Sequence, residues 1–184
     1  FGLVGESGSG KSTVVQSILR TLPPPGLITG GRVMLEKEDI LSFSINDIKN
    51  YRWKKISIVM QSALNALNPV LTIKSQINDV FEFHTDYNQK EIEDRIENLL
   101  DLISIDKRWL NSYPHQLSGG MRQRIVLAIA LALMPPLIIM DEPTTALDVI
   151  IEREILLNIL DLKNDLEFSI LFITHDLNLL LEFA

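Results

Sequence analysis

Nine residues near the start of the chain constrain its fold more than any others: Gly5-Glu6-Ser7-Gly8-Ser9-Gly10-Lys11-Ser12-Thr13. They fit the phosphate-binding loop pattern G-x-x-x-x-G-K-[ST]. An apolar run that can end a buried strand, Phe1–Val4, precedes them, and a helical segment, Lys11–Leu22, follows. This order directs backbone N–H groups and a positive helix end at a phosphate. We predict that the loop binds a nucleotide, with Lys11 at the terminal phosphates and Ser12 as a Mg²⁺ ligand. The alternative is a glycine-rich turn that matches by chance.

Composition narrows the choice of partners and sites. The 184 residues carry a net charge of −7, which argues against a nucleic-acid partner, and the absence of cysteine excludes disulfides and thiolate metal sites. The uncharged run from Ile125 to Met140 has sixteen residues, whereas a membrane-spanning helix needs about 20, and Pro135-Pro136 divides the run. We therefore interpret this run as a buried helix, a turn and a buried strand.

Apolar runs alternate with helical segments, which predicts an α/β fold with a mainly parallel sheet. The predicted strands are Phe1–Val4, Arg32–Leu35, Ile56–Met60, Leu137–Met140 and Phe168–Ile173. Ligands bind at the carboxyl ends of such strands. Four stretches that can carry chemistry fall at those ends: Gly5–Ser12, Gln61, Asp141–Glu142 and His175.

Between Ser62 and Met134 the strand signal disappears. Thr72–Phe83, Gln89–Ile103 and Met121–Leu133 have helical spacing, and the second carries an apolar stripe made by Ile92, Ile96, Leu99, Leu100 and Ile103. We predict a core formed by residues 1–61 and 135–184 and a helical subdomain formed by residues 62–134.

The polar residues at the strand ends suit phosphoryl transfer. Asp141 can hold Mg²⁺ opposite Ser12, and Glu142 can orient or deprotonate the attacking water. A solvated helix cap is the alternative for this acidic pair, but a phosphate-binding loop in the same chain favours the catalytic interpretation. His175 can contact the γ-phosphate or the water, although a lone histidine is often a surface or core residue. Gln61 can bind Mg²⁺ or water, although glutamine at a strand end is common.

A second anion-binding pattern lies in Leu117–Arg124, where Ser118, Gly119 and Gly120 open a helix. A hydroxyl and free N–H groups at a helix start favour a phosphate. Since one nucleotide does not need two such sites, we predict that this one serves a nucleotide held by a second subunit. An ordinary serine-capped helix start is the alternative.

The motifs GESGSGKST, Gln61, LSGGMRQR, LIIMDEPTTALD and ITHD, in this order, resemble the nucleotide-binding domain of ABC ATPases. The stretches TLPPPG, QSALNALNPVLTI and YPHQLSGGMRQR are similar to the ATPase subunits of peptide or peptide/nickel uptake transporters. The resemblance implies a P-loop NTPase (RecA-like) fold that binds and hydrolyses ATP with Mg²⁺.

The resemblance also implies roles for single residues. Gly5 to Thr13 would be Walker A, and Ser118, Gly119 and Gly120 would be the signature. Gln61 would link the nucleotide to the membrane partner, and Asp148, with Ala146-Leu147, would form the D-loop. Asp141 would be the Walker B metal ligand beside Ser12 and Gln61. The implied catalytic set is Glu142, His175, Lys11 and Gln61.

The implied partners are a second ABC ATPase subunit in a head-to-tail dimer, transmembrane permease subunits and, indirectly, a solute-binding protein. The implied location is the cytoplasmic face of the membrane, and the implied task is to power oligopeptide or dipeptide import. The alternatives are a soluble ABC ATPase that acts on nucleic acid or ribosomes and a truncated fragment that only binds nucleotide. Family members have an adenine-stacking residue before the loop and continue past the histidine, so we expect a chain that is incomplete at both ends.

Overall fold

A four-stranded parallel sheet is the centre of the fold. The computed structural model describes residues 1–60, 66–143, 149–166 and 168–183. Numbered along the chain, the strands are β1 (Gly2–Val4), β2 (Met34–Leu35), β3 (Glu38–Asp39), β4 (Ile56–Val59), β5 (Leu137–Asp141) and β6 (Ser169–Thr174). The sheet has the order β1-β6-β5-β4, while β2 and β3 form a separate antiparallel pair. The predicted parallel α/β class is confirmed.

The register of the sheet brings three strand ends to one edge. Val4 in β1 pairs with Thr174 in β6, and Asp141 in β5 pairs with Ile173 in β6. Because all three strands run in the same direction, the chain leaves this edge at Gly5, Glu142 and His175. The sheet order thus places residues that are far apart in sequence next to one another.

Helices cover the sheet and form the segment between β4 and β5. They are α1 (Lys11–Ile18), α2 (Ile45–Tyr51), α3 (Ile73–His84), α4 (Gln89–Leu102), α5 (Gly119–Leu131), α6 (Val149–Leu166) and α7 (Leu177–Phe183). Short 3₁₀ turns lie at Ile40–Ser42, Lys107–Asn111 and Pro114–Gln116. Side chains accept backbone N–H bonds at several helix starts, where the first N–H groups lack partners within the helix. These capping residues are Ser44, Thr72, Asn88 and Ser118.

Two apolar clusters hold these elements together. The smaller packs α1 and α2 on the sheet through Val15, Ile48 and Ile139. The larger one joins β4, β5 and β6 to α6 and to the helices α3, α4 and α5. Met140 in β5 belongs to it and is fully buried. Since burial of apolar area is the main favourable term in folding, the helical segment and the sheet are stabilised by one continuous core.

Most predicted elements are present, but several boundaries were wrong. Helix α1 ends at Ile18 rather than Leu22, and Arg20 has a positive φ of 53° just beyond it. The predicted strand Arg32–Leu35 is reduced to Met34–Leu35, and α5 begins at Gly119 rather than Met121.

The predicted helical stripe on α4 is confirmed, because Ile92, Ile96, Leu99 and Leu100 are all buried. Within residues 66–136 the structure shows no strand. Among the described residues, no helix is both long enough and apolar enough to cross a membrane. The division into a core and a helical subdomain at residues 62 and 134 stays a prediction.

Candidate functional site

The glycine-rich loop adopts a conformation that its glycines permit. Gly8 and Gly10 have φ angles of 81° and 96°, a region that residues with a Cβ rarely occupy. Gly10 immediately precedes α1, and its carbonyl accepts the first helical bond from the Val14 N–H at 3.0 Å. A turn closed by the Ser9 N–H and the Glu6 carbonyl, 3.2 Å apart, completes the loop. The loop therefore leads directly into a helix N-terminus.

Lys11 lies across the inside of this loop. The residue is only 8% exposed, and its Nζ donates to the carbonyl oxygens of Gly5 at 2.8 Å and Glu6 at 2.9 Å. An ammonium group carries three N–H donors, and these two bonds hold it in place beside the loop. The positive charge is thus kept where the loop surrounds a concave space.

Two carboxylates lie at the carboxyl end of β5. Asp141 is the last residue of the strand and is 7% exposed. Glu142 has a φ of 48°, and its N–H donates to the Ile173 carbonyl at 2.9 Å. An αL conformation costs energy for a residue with a Cβ, so the neighbouring contacts must hold Glu142 in it. The strand conformation thus ends at Asp141, and the turn at Glu142 sets the direction of the Glu142 side chain.

The Glu142 carboxylate lies beside His175. Glu142 Oε1 and His175 Nδ1 are 3.1 Å apart, and the side chains are 12% and 56% exposed. The separation fits a hydrogen bond that orients the carboxylate. The histidine follows β6, whereas the glutamate follows β5, so the pair depends on the pairing of these two strands.

One cavity unites the loop with this pair. It has a volume of about 610 Å³ and is lined by Glu6, Ser7, Gly8, Gly10, Lys11, Ser12, Thr13, Glu142 and His175. Backbone N–H groups, a lysine, three hydroxyl side chains and a carboxylate–histidine pair therefore meet at the edge of the sheet. This donor set suits phosphate oxygens and a water that attacks them.

A family model described as "ABC transporter" matches residues 1–145 of this chain. The chain belongs to the ABC transporter family. The matched region contains the glycine-rich loop, Ser118–Gly120 and the Asp141–Glu142 pair, and of these the loop and Glu142 line the cavity.

Curated ABC transporter proteins resemble the chain over its whole length. The oligopeptide transport ATP-binding protein OppD of Bacillus subtilis (strain 168) is 42% identical over 100% of this chain and 52% of its own length. The dipeptide transport ATP-binding protein DppD of Caldanaerobacter subterraneus subsp. tengcongensis is 39% identical over 99% of this chain and 56% of its own length. The chain thus spans about half the length of these relatives.

A solved ABC structure has the same fold. A dimeric post-hydrolysis state of the ATP-binding cassette MJ0796, bound to ADP and Pi, superposes with a TM-score of 0.78 and is 30% identical. The match covers 96% of this chain and 75% of that one. The expected P-loop NTPase fold of an ABC cassette is therefore confirmed.

The predicted signature residues, Ser118, Gly119 and Gly120, do not line this cavity. Ser118 caps α5, and its Oγ accepts the Met121 N–H at 3.2 Å, as an ordinary serine cap does. Gly119 and Gly120 form the first turn of α5. Among the described residues that line the cavity, none belongs to Ser118–Gly120. A role for these residues at a nucleotide held by another subunit stays a prediction.

Gln61 and Asp148 lie outside the described residues, so their roles stay predictions. Asp176 next to His175 has a structural task, because its Oδ1 accepts the N–H groups of Asn178 at 2.8 Å and Leu179 at 3.2 Å and so caps α7.

Sequence reasoning did not single out Gln123, a buried residue of α5 that bonds to the segment after Glu142. A polar residue at the start of a long apolar run was the available signal.

Proposed function

We propose that this chain is the ATP-binding and ATP-hydrolysing part of an ABC importer for a solute, with oligopeptides or dipeptides as the solute class. The observation that carries the proposal is the cavity in which Lys11 and the glycine-rich loop face the Glu142–His175 pair. Both curated relatives are named as peptide transport ATP-binding proteins, which supports the solute class.

The loop from Gly5 to Thr13 would hold the phosphates of ATP. The φ angles of Gly8 and Gly10 let the backbone curl around an anion, and the start of α1 adds the positive end of the helix dipole. Lys11 is already held at the loop by two carbonyl bonds, so little side-chain freedom is lost when it meets a phosphate. The names of the relatives, which are ATP-binding proteins, support a nucleoside triphosphate as the ligand.

Glu142 would act on the water that attacks the γ-phosphate. Its carboxylate is 12% exposed and lies 3.1 Å from His175 Nδ1, so it is both shielded from bulk water and oriented. A carboxylate in this position can accept a proton from the water, while the half-exposed imidazole contacts the γ-phosphate side of the cavity. Lys11 would stabilise charge on the terminal phosphates.

A magnesium ion would be held by few protein ligands. Among the described residues, no group of three histidine, aspartate or glutamate side chains forms a metal site. Mg²⁺ in nucleotide sites is bound by one or two protein ligands, phosphates and water. Ser12, Asp141 and Gln61 are the proposed ligands, and the bound ion would neutralise phosphate charge. The hydroxyl and the carboxylate among them are of the hard oxygen type that Mg²⁺ prefers.

A second ATPase subunit would complete the site. Ser118, Gly119, Gly120 and Asp148 would reach the nucleotide of that subunit in a head-to-tail dimer. The dimeric state of the MJ0796 cassette supports this arrangement. Permease subunits, reached through the helical subdomain of residues 62–134, would hold the protein at the cytoplasmic face of the membrane. A solute-binding protein would act indirectly, through the permease.

The decisive experiment compares the parent protein with Glu142→Gln and Lys11→Ala. The parent should hydrolyse Mg-ATP, and Glu142→Gln should bind ATP without turnover and change from monomer to dimer in light scattering with Mg-ATP. Lys11→Ala should lose ATP binding. A matched control is Glu97→Gln, which removes only a surface ion pair with Lys107 and should leave turnover unchanged.

Two results would contradict the proposal. Turnover by Glu142→Gln at the parent rate would remove the glutamate from its catalytic role. Unchanged ATP affinity in Lys11→Ala would refute the phosphate-binding assignment of the loop.

A further inference from the structure

Gln123 is a buried polar residue of α5 that lies between Arg122 and Arg124, just before the apolar run that begins at Ile125. The residue is 3% exposed, and its buried neighbours on the helix are Ile125, Val126, Leu127, Ala128, Ala130 and Leu131. Burial of an amide costs free energy unless the amide is hydrogen-bonded. Its Nε2 donates to the backbone carbonyl of Pro143, and this bond ties α5 to the segment that follows β5.

The bonded carbonyl belongs to the residue directly after Glu142. The Glu142 N–H is held from the other side by the Ile173 carbonyl at 2.9 Å. The two-residue segment Glu142–Pro143 therefore lies between a bond from β6 and a bond from α5. Because Glu142 is in the αL conformation, which is costly for it, these two bonds are suited to maintain its backbone geometry.

The proposed signature residues, Ser118–Gly120, lie at the N-terminus of the same helix. Gln123 lies five residues after Ser118, which corresponds to about 7.5 Å along the helix axis. Close-packed protein interiors have low compressibility and transmit strain, and most of α5 from Gln123 onward is buried. A displacement of its N-terminus is therefore transmitted to the Gln123 amide and from there to the Pro143 carbonyl.

We propose that Gln123 is a positioning residue that couples the signature end of α5 to the catalytic carboxylate of the same subunit. This inference rests on the proposed function, in which Ser118–Gly120 contact the nucleotide of the partner subunit. Nucleotide bound at one site of the dimer then sets the position of Glu142 at the other site. The hydrogen bond from Gln123 to Pro143 is the mechanical link between the two sites.

The competing explanation is that Gln123 only stabilises the core. The two explanations differ in what they predict for folded molecules. Loss of a purely structural bond lowers the melting temperature and leaves the kinetics of the folded fraction unchanged. Loss of a positioning bond lowers kcat and cooperativity in molecules that remain folded and still bind ATP.

Gln123→Met tests the proposal because methionine has a similar shape and no N–H donor. We expect kcat per folded molecule to fall about ten- to hundredfold, since small misplacements of a catalytic group have effects of this size. ATP affinity should change less than about twofold, and the Hill coefficient for ATP should fall from about 2 toward about 1. Glu142→Gln/Gln123→Met should still dimerise with Mg-ATP.

The matched control is Gln76→Met. The Gln76 amide also bonds to backbone carbonyls, those of Asn68 and Leu71, but it lies in α3 and away from the cavity. We expect its kcat and Hill coefficient to equal those of the parent. An equal loss of kcat in Gln76→Met would show a general effect of destabilisation and would overturn the proposal.

Gln123→Glu provides an independent readout through pH. A buried carboxyl has a raised pKa, and only its protonated form has an O–H that can donate to the Pro143 carbonyl. The ratio of its kcat to that of the parent should therefore rise as the pH is lowered from about 8.5 to about 6. A ratio that does not change with pH would overturn the proposal.

The outcomes separate this inference from the proposed function. An active, cooperative parent with an equally active and cooperative Gln123→Met would overturn only the inference. A parent without ATPase activity would refute the proposed function and, with it, the inference. Failure of both Gln123 variants to fold would assign the residue to stability and would also overturn the proposal.

Discussion

Substitution of alanine at Gly10, Gly31 or Gly30 tests whether the fold needs the positive φ angles at Gly10 and Gly31. Gly10 and Gly31 have φ angles of 96° and 106°, whereas Gly30 has no such angle, and at all three positions a new Cβ meets no atom within 4 Å. Steric clash is therefore absent at each site. Gly10→Ala and Gly31→Ala add backbone strain, and Gly30→Ala does not.

The expected magnitudes follow from two opposing terms. A residue with a Cβ held at positive φ costs about 1–3 kcal/mol. Replacement of glycine by alanine also restricts the unfolded chain, which stabilises the fold by about 0.4–1 kcal/mol. Gly10→Ala and Gly31→Ala should lose about 1–2 kcal/mol, a fall in Tm of about 2–8 °C for a chain of this size, and Gly30→Ala should gain about 1–4 °C.

Thermal melts and fluorescent ATP titrations together give a pattern that strain alone would not produce. Gly10 lies in the glycine-rich loop that lines the cavity, whereas Gly31 lies outside it. Gly10→Ala should therefore lose about tenfold or more in ATP affinity, and Gly31→Ala should keep the parent affinity despite similar destabilisation.

A melting temperature of Gly10→Ala at or above that of Gly30→Ala would refute the strain assigned to position 10. Such a result would mean that the loop reaches an equivalent conformation without positive φ. Equal losses of ATP affinity in Gly10→Ala and Gly31→Ala would contradict the role of the loop in ATP binding, because the loss would then follow from stability rather than from the loop.

Two further predictions concern the core and a helix cap. Phe81→Ala removes a fully buried side chain of α3 and should lower the free energy of unfolding in urea by about 3–5 kcal/mol. Phe83→Ala, on the same helix but 82% exposed, should lower it little. Equal losses in the two variants would contradict the packing described above. Ser44→Ala removes the side-chain hydrogen bond that is the largest cause of the lowered pKa of Asp47, whereas the backbone N–H of residue 44 still donates to this carboxylate. The stability that Asp47 contributes above its ordinary pKa of about 3.9, and that is lost as the pH falls through its lower folded pKa, should therefore become smaller. A difference in the free energy of unfolding between parent and variant that stays the same at every pH would contradict this assignment.

Local patterns predicted the elements that depend on neighbouring residues. The stripe on α4 was recognisable because residues 3 or 4 apart share a helix face. The cap of α2 is local in the same way, because the Ser44 side chain and Asp47, three residues later, bond to each other's backbone N–H groups. The end of α1 was misplaced, since no residue before Pro23 signals that Arg20 leaves the helical conformation.

The candidate site was predicted in part for the same reason. The loop from Gly5 to Thr13 is contiguous, so its spacing alone indicates phosphate binding. The Glu142–His175 contact joins residues from different strands, and the sequence could indicate only that both follow strands. The bond between Gln123 and Pro143 was not foreseen, because nothing in local spacing specifies which helix packs beside the end of β5.

Local sequence specifies the glycine-rich loop and the alternation of apolar strands and helices, and these features indicate the α/β class and the family. These are properties of residues that are near neighbours in the chain, where backbone sterics and helix or strand periodicity act directly. The tertiary structure alone decided the order β1-β6-β5-β4, the register of Asp141 opposite Ile173 and the αL turn at Glu142. These features depend on contacts between distant segments, and the core that buries those segments selects them.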